Sequence, residues 1–62
     1  MYVELRTALD CIDAIADAAR RYAEAMTIET RNSLTAAVHD ALIKGITPAA
    51  IEATIDTAMV SR

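Results

Sequence analysis

The sequence predicts an all-α protein of three helices, one long and two short, that exists as an obligate oligomer. Three observations predict it. Residues 3–26 run without glycine or proline and repeat apolar residues at helical period. The segment Lys44-Gly45-Ile46-Thr47-Pro48 places a helix stop directly before a helix start. Finally, 62 residues make one domain at most, and a domain near that size hides only about 60% of the surface of its unfolded chain.

Helix 1 is expected over residues 3–26. Leu5, Leu9, Ile12, Ala16, Ala19, Ala23 and Met26 recur at steps of four and three, which aligns them in one stripe. Ala8, Cys11, Ile15 and Tyr22 widen the stripe on one flank, and a band that broad has to be buried. The opposite face is polar, with Glu4, Arg6, Asp10, Asp13, Asp17, Arg20, Arg21 and Glu24. Asp17 with Arg20 or Arg21, and Arg20 with Glu24, are spaced for solvated ion pairs worth a few tenths of a kcal/mol, on the order of 0.3 each.

Thr27-Ile28-Glu29-Thr30 interrupts the pattern. Three β-branched residues in four lower helix propensity, and Thr27 or Thr30 can act as an N-cap. Phase supports a break: the first stripe would continue onto Thr30, Ser33 and Ala37, whereas the next apolar set is Leu34, Ala37, Val38, Ala41 and Leu42. Helix 2 is therefore expected over residues 29–43. Gly45 can take the left-handed conformation that stops it, with Lys44 near the negative end of the helix dipole. Thr47 then caps helix 3, and Pro48 takes its first position, where a missing N–H costs nothing. Ile46 and Ile51 stand at the spacing of a hydrophobic staple. Helix 3, over residues 48–60, should bury Ile51, Ile55, Ala58 and Met59 and expose Glu52, Asp56 and Arg62.

Length decides between arrangements. Helix 1 is about 36 Å long and its companions about 20 Å each. A short turn folds helix 2 back over Ile15 to Met26, and helix 3 covers part of the rest. The end bearing Val3, Leu5, Leu9 and Ile12 is left short of neighbours, and these four residues form the predicted interface with a symmetry mate.

Composition points the same way. The chain is 55% hydrophobic, too apolar for disorder, yet much of that share is alanine, which buries little area. One cysteine forbids an internal disulfide, and no ligand set has the spacing of a structural zinc site. The missing core must come from another copy. A net charge of −3 argues against a surface that neutralises phosphates, so nucleic acid is not an expected partner. No secretory signal precedes Glu4 and Asp10, no apolar run reaches the roughly 20 residues that span a bilayer, and a lone free cysteine suits a reducing cytoplasm.

The candidate sites each have a plain reading beside the sharp one. Asp10, Asp13 and Asp17 share one edge of helix 1; with Glu24 they form the candidate partner-binding surface, and the plain reading is a solvated face balanced by Arg20 and Arg21. No second acidic motif completes an oxygen cage, so no metal is expected. His39 lies beside Asp40, but Ser33 is nearly two turns away and off its face, so a surface histidine is expected and no catalytic residue is assigned. Cys11 reads as a small buried hydrophobe, with an intermolecular disulfide as the sharper alternative. Tyr22 and Tyr2 are expected to keep their rings in the seam and their hydroxyls at its edge. Met1, Met26 and Met59 read as gap-fillers.

Ala41, Gly45, Ile46 and Ile51, within ALIKGITPAAI, resemble the alanine, turn glycine and following apolar positions of bacterial and phage helix-turn-helix regulators. The resemblance covers about a third of the chain, and it implies hairpin geometry and a DNA-binding regulator. Asp40, Lys44 and Thr54 stand where that motif is usually apolar. The outward positions of helix 3, Thr47, Pro48, Ala49, Glu52, Ala53 and Asp56, offer no Arg, Lys, Asn or Gln to base edges. The function expected is thus a small cytosolic regulatory or adaptor protein, of a size and simplicity that suits a phage gene, which needs no cofactor and binds itself and another protein. The alternative is a helix-turn-helix transcriptional regulator, and an enzyme is the class least supported.

Overall fold

The computed structural model describes residues 5–60, which form three helices and no strand: α1 (Leu5–Glu24), α2 (Ile28–Ile43) and α3 (Pro48–Val60). The all-α class read from the sequence is the observed one. Met1, Tyr2, Val3, Glu4, Ser61 and Arg62 lie outside the described residues, and with them the expected start of helix 1 and one of its four interface positions.

The junction between α1 and α2 shows why the helices separate without glycine or proline. The helical ladder reaches one residue past α1, where the Ala25 N–H donates to the Arg21 carbonyl at 3.0 Å. Thr27 is extended, with φ −111° and ψ 168°, and caps α2: its Oγ1 accepts from the Thr30 N–H at 3.1 Å, while Thr30 Oγ1 accepts from the Thr27 N–H at 3.0 Å. Both threonines serve one capping box, the first as N-cap and the second three residues on. Thr30 Oγ1 also donates to the Ala25 carbonyl at 2.6 Å, occupying an acceptor left free by the end of α1. α1 consequently ends two residues earlier than expected and α2 begins one residue earlier. Met26, expected in the buried stripe, falls in the linker and is 73% exposed.

The second junction forms as its residues dictate. Gly45 has φ 95°, the only positive φ among the described residues. Its N–H donates to Leu42 at 3.1 Å and the Ile46 N–H donates to Ala41 at 3.0 Å, the paired bonds of a Schellman stop. Thr47 Oγ1 then accepts from the Ala50 N–H at 3.3 Å to open α3. Ile46 and Ile51 are both buried in the cluster that contains Ala41, so the staple and the stop share one apolar contact.

α1 is the spine. It packs against both α2 and α3, which touch each other far less than either touches α1. α2 runs back along the flank of α1 marked by Thr7, Asp10, Cys11 and Ala14, since Asp40 and Lys44 at its far end share a notch with those residues. That reach exceeds the expected cover of Ile15 to Met26, because α2 has 16 residues, about 24 Å of helix, and starts where α1 stops. α3 lies along the other flank, against Ile12, Ala16 and Arg20.

The core sits between these flanks. Cys11, Ile15, Ala18 and Ala19 are the buried residues of α1, and among the described residues Ile15 is the one large side chain that is wholly enclosed. This band is rotated from the predicted stripe, whose Leu5 and Leu9 are 72% and 54% exposed and whose Ile12 and Ala16 are partly buried. The rotation has a simple cause: two helices on one spine bury the line midway between them. α2 contributes Ala41, with Leu34, Ala37 and Val38 partly buried, while Leu42, expected inside, remains 44% exposed. In α3 Ile51 and Ala58 are buried and Ile55 and Met59 partly so, as its spacing predicts.

Two substitutions test this account by urea denaturation. Ile15→Ala empties the centre of the core and should destabilise the fold by about 2–5 kcal/mol. Gly45→Ala should cost about 1 kcal/mol, through the left-handed backbone rather than lost packing.

Candidate functional site

α1 presents two surfaces beside its buried band, and each borders a concavity. On the α2 side, Thr7, Asp10, Cys11 and Ala14 meet Asp40 and Lys44 around a notch of about 290 Å³. Asp40 and Lys44 are one helical turn apart and form an ion pair of 3.0 Å, with the acid N-terminal to the base, the favoured order on a helix. The hydrogen bond from Lys44 to Asp40, with the carboxylate's charge, holds the Lys44 ammonium above its ordinary pKa; Cys11 and Asp10 across the notch act in the same direction. Cys11 is itself buried and free, 5% exposed, so its sulfur belongs to the monomer's own core and is not presented to a second chain. The plain reading of this cysteine is the one its placement favours.

On the α3 side, Ile12, Ala16 and Arg20 face Ala53, Thr54, Thr57 and Ala58 across a groove of about 380 Å³. Its lining is mostly aliphatic. Thr54 turns its hydroxyl inward to its own helix, donating to the Ala50 carbonyl at 2.8 Å, and so offers the groove little hydrogen-bonding capacity. Arg20 stands at the groove without an ion-pair partner among the described residues: Arg21 takes Asp17 at 3.1 Å, and the expected Arg20–Glu24 pair does not form.

The acidic edge is intact as a surface: Asp10, Asp13, Asp17 and Glu24 are all exposed. They are not equivalent. Asp17 is tied to Arg21, Asp10 borders the Lys44 notch, and Asp13 and Glu24 make no ion pair among the described residues. Of the expected interface, Leu5 and Leu9 lie open while Ile12 divides itself between core and groove. No family model, curated protein or solved structure matches this chain.

His39 and Ser33 are exposed on α2. Among the described residues no group of three or more His, Cys, Asp and Glu side chains is placed to hold a metal, and no helix is long and apolar enough to cross a membrane. Tyr22 is half-buried, as read from its place beside the stripe. Two features escaped the sequence reading. The Asp40–Lys44 pair was legible from its spacing of four. The groove was not, since its walls come from positions some forty residues apart.

Lys44 is the only lysine in the chain, so its titration can be followed without overlap by the NMR shift of its side-chain methylene beside the amine. A raised folded pKa means that the pair's contribution is present below the unfolded lysine value and is lost as pH rises through the folded one. Asp40→Asn should therefore lower the Lys44 midpoint towards the free-lysine value, and should shrink the alkaline loss of stability in the same window.

Proposed function

We propose that this chain is a small cytosolic adaptor or regulatory protein that works as a homo-oligomer and binds another protein through the acidic edge of α1. The observation that carries the reading is an imbalance of burial. Among the described residues one large aliphatic side chain, Ile15, is wholly enclosed, while Leu5, Leu9, Met26, Ile28, Leu42, Ile43 and Val60 stand open to solvent. Single exposed apolar residues are ordinary, but this proportion in so short a chain is what a partner chain would relieve. The first contact sought is between Leu5, Leu9 and Ile12 of two copies, with Val3 extending the same strip by its sequence position.

The acidic edge supports the second half of the reading. Self-assembly through the apolar side of α1 leaves Asp10, Asp13, Asp17 and Glu24 outward, and two copies would display two such edges for a basic partner. The DNA-binding alternative has less support. α2 and α3 scarcely pack on each other, and the exposed positions Ala49, Glu52, Ala53 and Asp56 of α3 carry neither the charge nor the amide groups that read a duplex.

The test has two steps. Light scattering on the purified chain should give a molar mass of two copies or more; a folded species of 6.7 kDa at micromolar concentration removes the self-assembly. Reversal of Asp10, Asp13, Asp17 and Glu24 to lysine should then abolish capture of a partner from the native host. Capture that survives the reversal removes the acidic edge as the binding surface.

A further inference from the structure

We propose that the Thr27–Thr30 box is a latch. Closed, it folds α2 and α3 back onto their own α1; released, α1 and α2 join into one continuous helix, and the α2–α3 arm passes to the α1 of another copy. Three observations carry this.

The first is that side chains alone hold the bend. The chain's one glycine and one proline both stand at the second junction, where Gly45 at φ 95° enforces a stop. At the first junction only Ala25, Met26 and Thr27 separate the helices, and the Ala25 N–H still donates to the Arg21 carbonyl in helical fashion. Thr27 and Thr30 make the break with solvent-exposed hydrogen bonds. The neighbouring Met26 and Ile28 stand open to solvent and add little packing to it.

The second is that the arm has one seat. α2 and α3 touch each other little, and both pack on α1. Ala41, Ile46 and Ile51 of the arm close on Cys11 and Ile15 of α1. An arm that leaves its own α1 buries these residues again only on the same seat of another chain, where every contact of the closed form is remade.

The third is phase. On a continuous helix from Leu5 to Ile43, at 3.6 residues per turn, the flank that α2 follows, marked by Thr7, Cys11 and Ala14, shares one side with Ile28 and Ile43. Nearly opposite, Leu34, Ala37 and Ala41, by which α2 packs on α1, share a side with Leu5 and Leu9. Each aliphatic strip left in water by the closed chain is thus the continuation of a face that already packs. In the hairpin α2 starts where α1 stops, and its last turn lies against Thr7 to Ala14. The same antiparallel register, run on past the junction, sets Ile43 of one rod beside Leu9 of the next. Because seat and inner row lie on opposite sides of the rod, two chains do not close on each other, and the exchange runs on from copy to copy. The α1 contact proposed above joins closed chains, so the two assemblies differ in whether α1 and α2 of one chain stay side by side.

That difference is measured as the distance between spin labels on Asp13→Cys and His39→Cys in a Cys11→Ala chain, diluted with its unlabelled counterpart. Circular dichroism follows helicity and sedimentation follows mass. Folded back, the labelled helices are about 10 Å apart between axes; on the continuous helix the two positions are about 39 Å apart. Thr27→Ala with Thr30→Ala removes the box and inserts the strongest helix former. It should keep the helicity, bring up the long distance, and raise the mass with concentration past that of a dimer. Met26→Gly added to that chain should bring back the short distance. A double variant that stays helical at the short distance overturns the latch, as does a long distance that Met26→Gly leaves unchanged. If the double variant loses its helicity, Thr27→Ala alone decides by the same distance: a long component supports the latch, and the short one alone overturns it.

Discussion

Everything in this molecule depends on the burial of one line along α1. Cys11, Ile15, Ala18 and Ala19 form that line, and α2 and α3 touch each other so little that neither has another core to join. The two short helices are held in place through the long one, as two slats are held by a shared spine. Hydrophobic burial is non-directional, so the line that ends up inside is set by where the covering helices can sit. Two helices on adjacent flanks enclose the sector between them and leave each outer flank open. Ile15 is fully enclosed because it lies in that sector; Leu9, a larger step round the helix, is half out of it.

The chain controls the covering helices through its two junctions, and they work by different means. Between α1 and α2 the stop is made by threonine side chains that satisfy the loose backbone groups of both helices. Between α2 and α3 it is made by backbone geometry, a left-handed glycine followed by a proline that is already set for a helix. The second junction also places Ile46 into the same cluster as Ala41 and Ile51, so turning the chain and closing the core are one event. Local signals and the global fold agree there, which is the condition for a sequence to specify a single structure.

That agreement explains what could be read in advance. α3 starts at Pro48 because its stop, cap and staple residues all lie between Gly45 and Ile51. The Thr27–Thr30 box was visible as two candidate caps, and only the structure shows that both act together. By contrast, the centre of the buried band was misplaced by part of a turn, since a helical stripe records which residues are apolar and not which flank a neighbour will choose. Leu5, Leu9 and Ile12 look alike in the sequence; they differ in the structure because α3 reaches only the last of them. The acidic edge was legible as a pattern, but the division of labour along it was not. Asp17 is occupied by Arg21 and Asp10 by the neighbourhood of Lys44, and those choices follow from rotamers and from the end of α2.

The use of alanine ties the fold to the proposed assembly. Half of the buried residues among those described are Ala18, Ala19, Ala41 and Ala58, which let helices approach closely but remove little apolar area from water. A seam of this kind gains contact at the expense of burial, so the single chain has little stability to spare against the conformational entropy of ordering about sixty residues. The same small side chains that make the inner seam thin also leave the α1/α3 groove open, with Ala53 and Thr57 where larger residues would have filled it. Had those positions been leucine, the groove would have closed over Ile12 and Ala16. Under the proposed self-assembly, folding and association draw on one pool of apolar surface, and stability becomes a function of protein concentration.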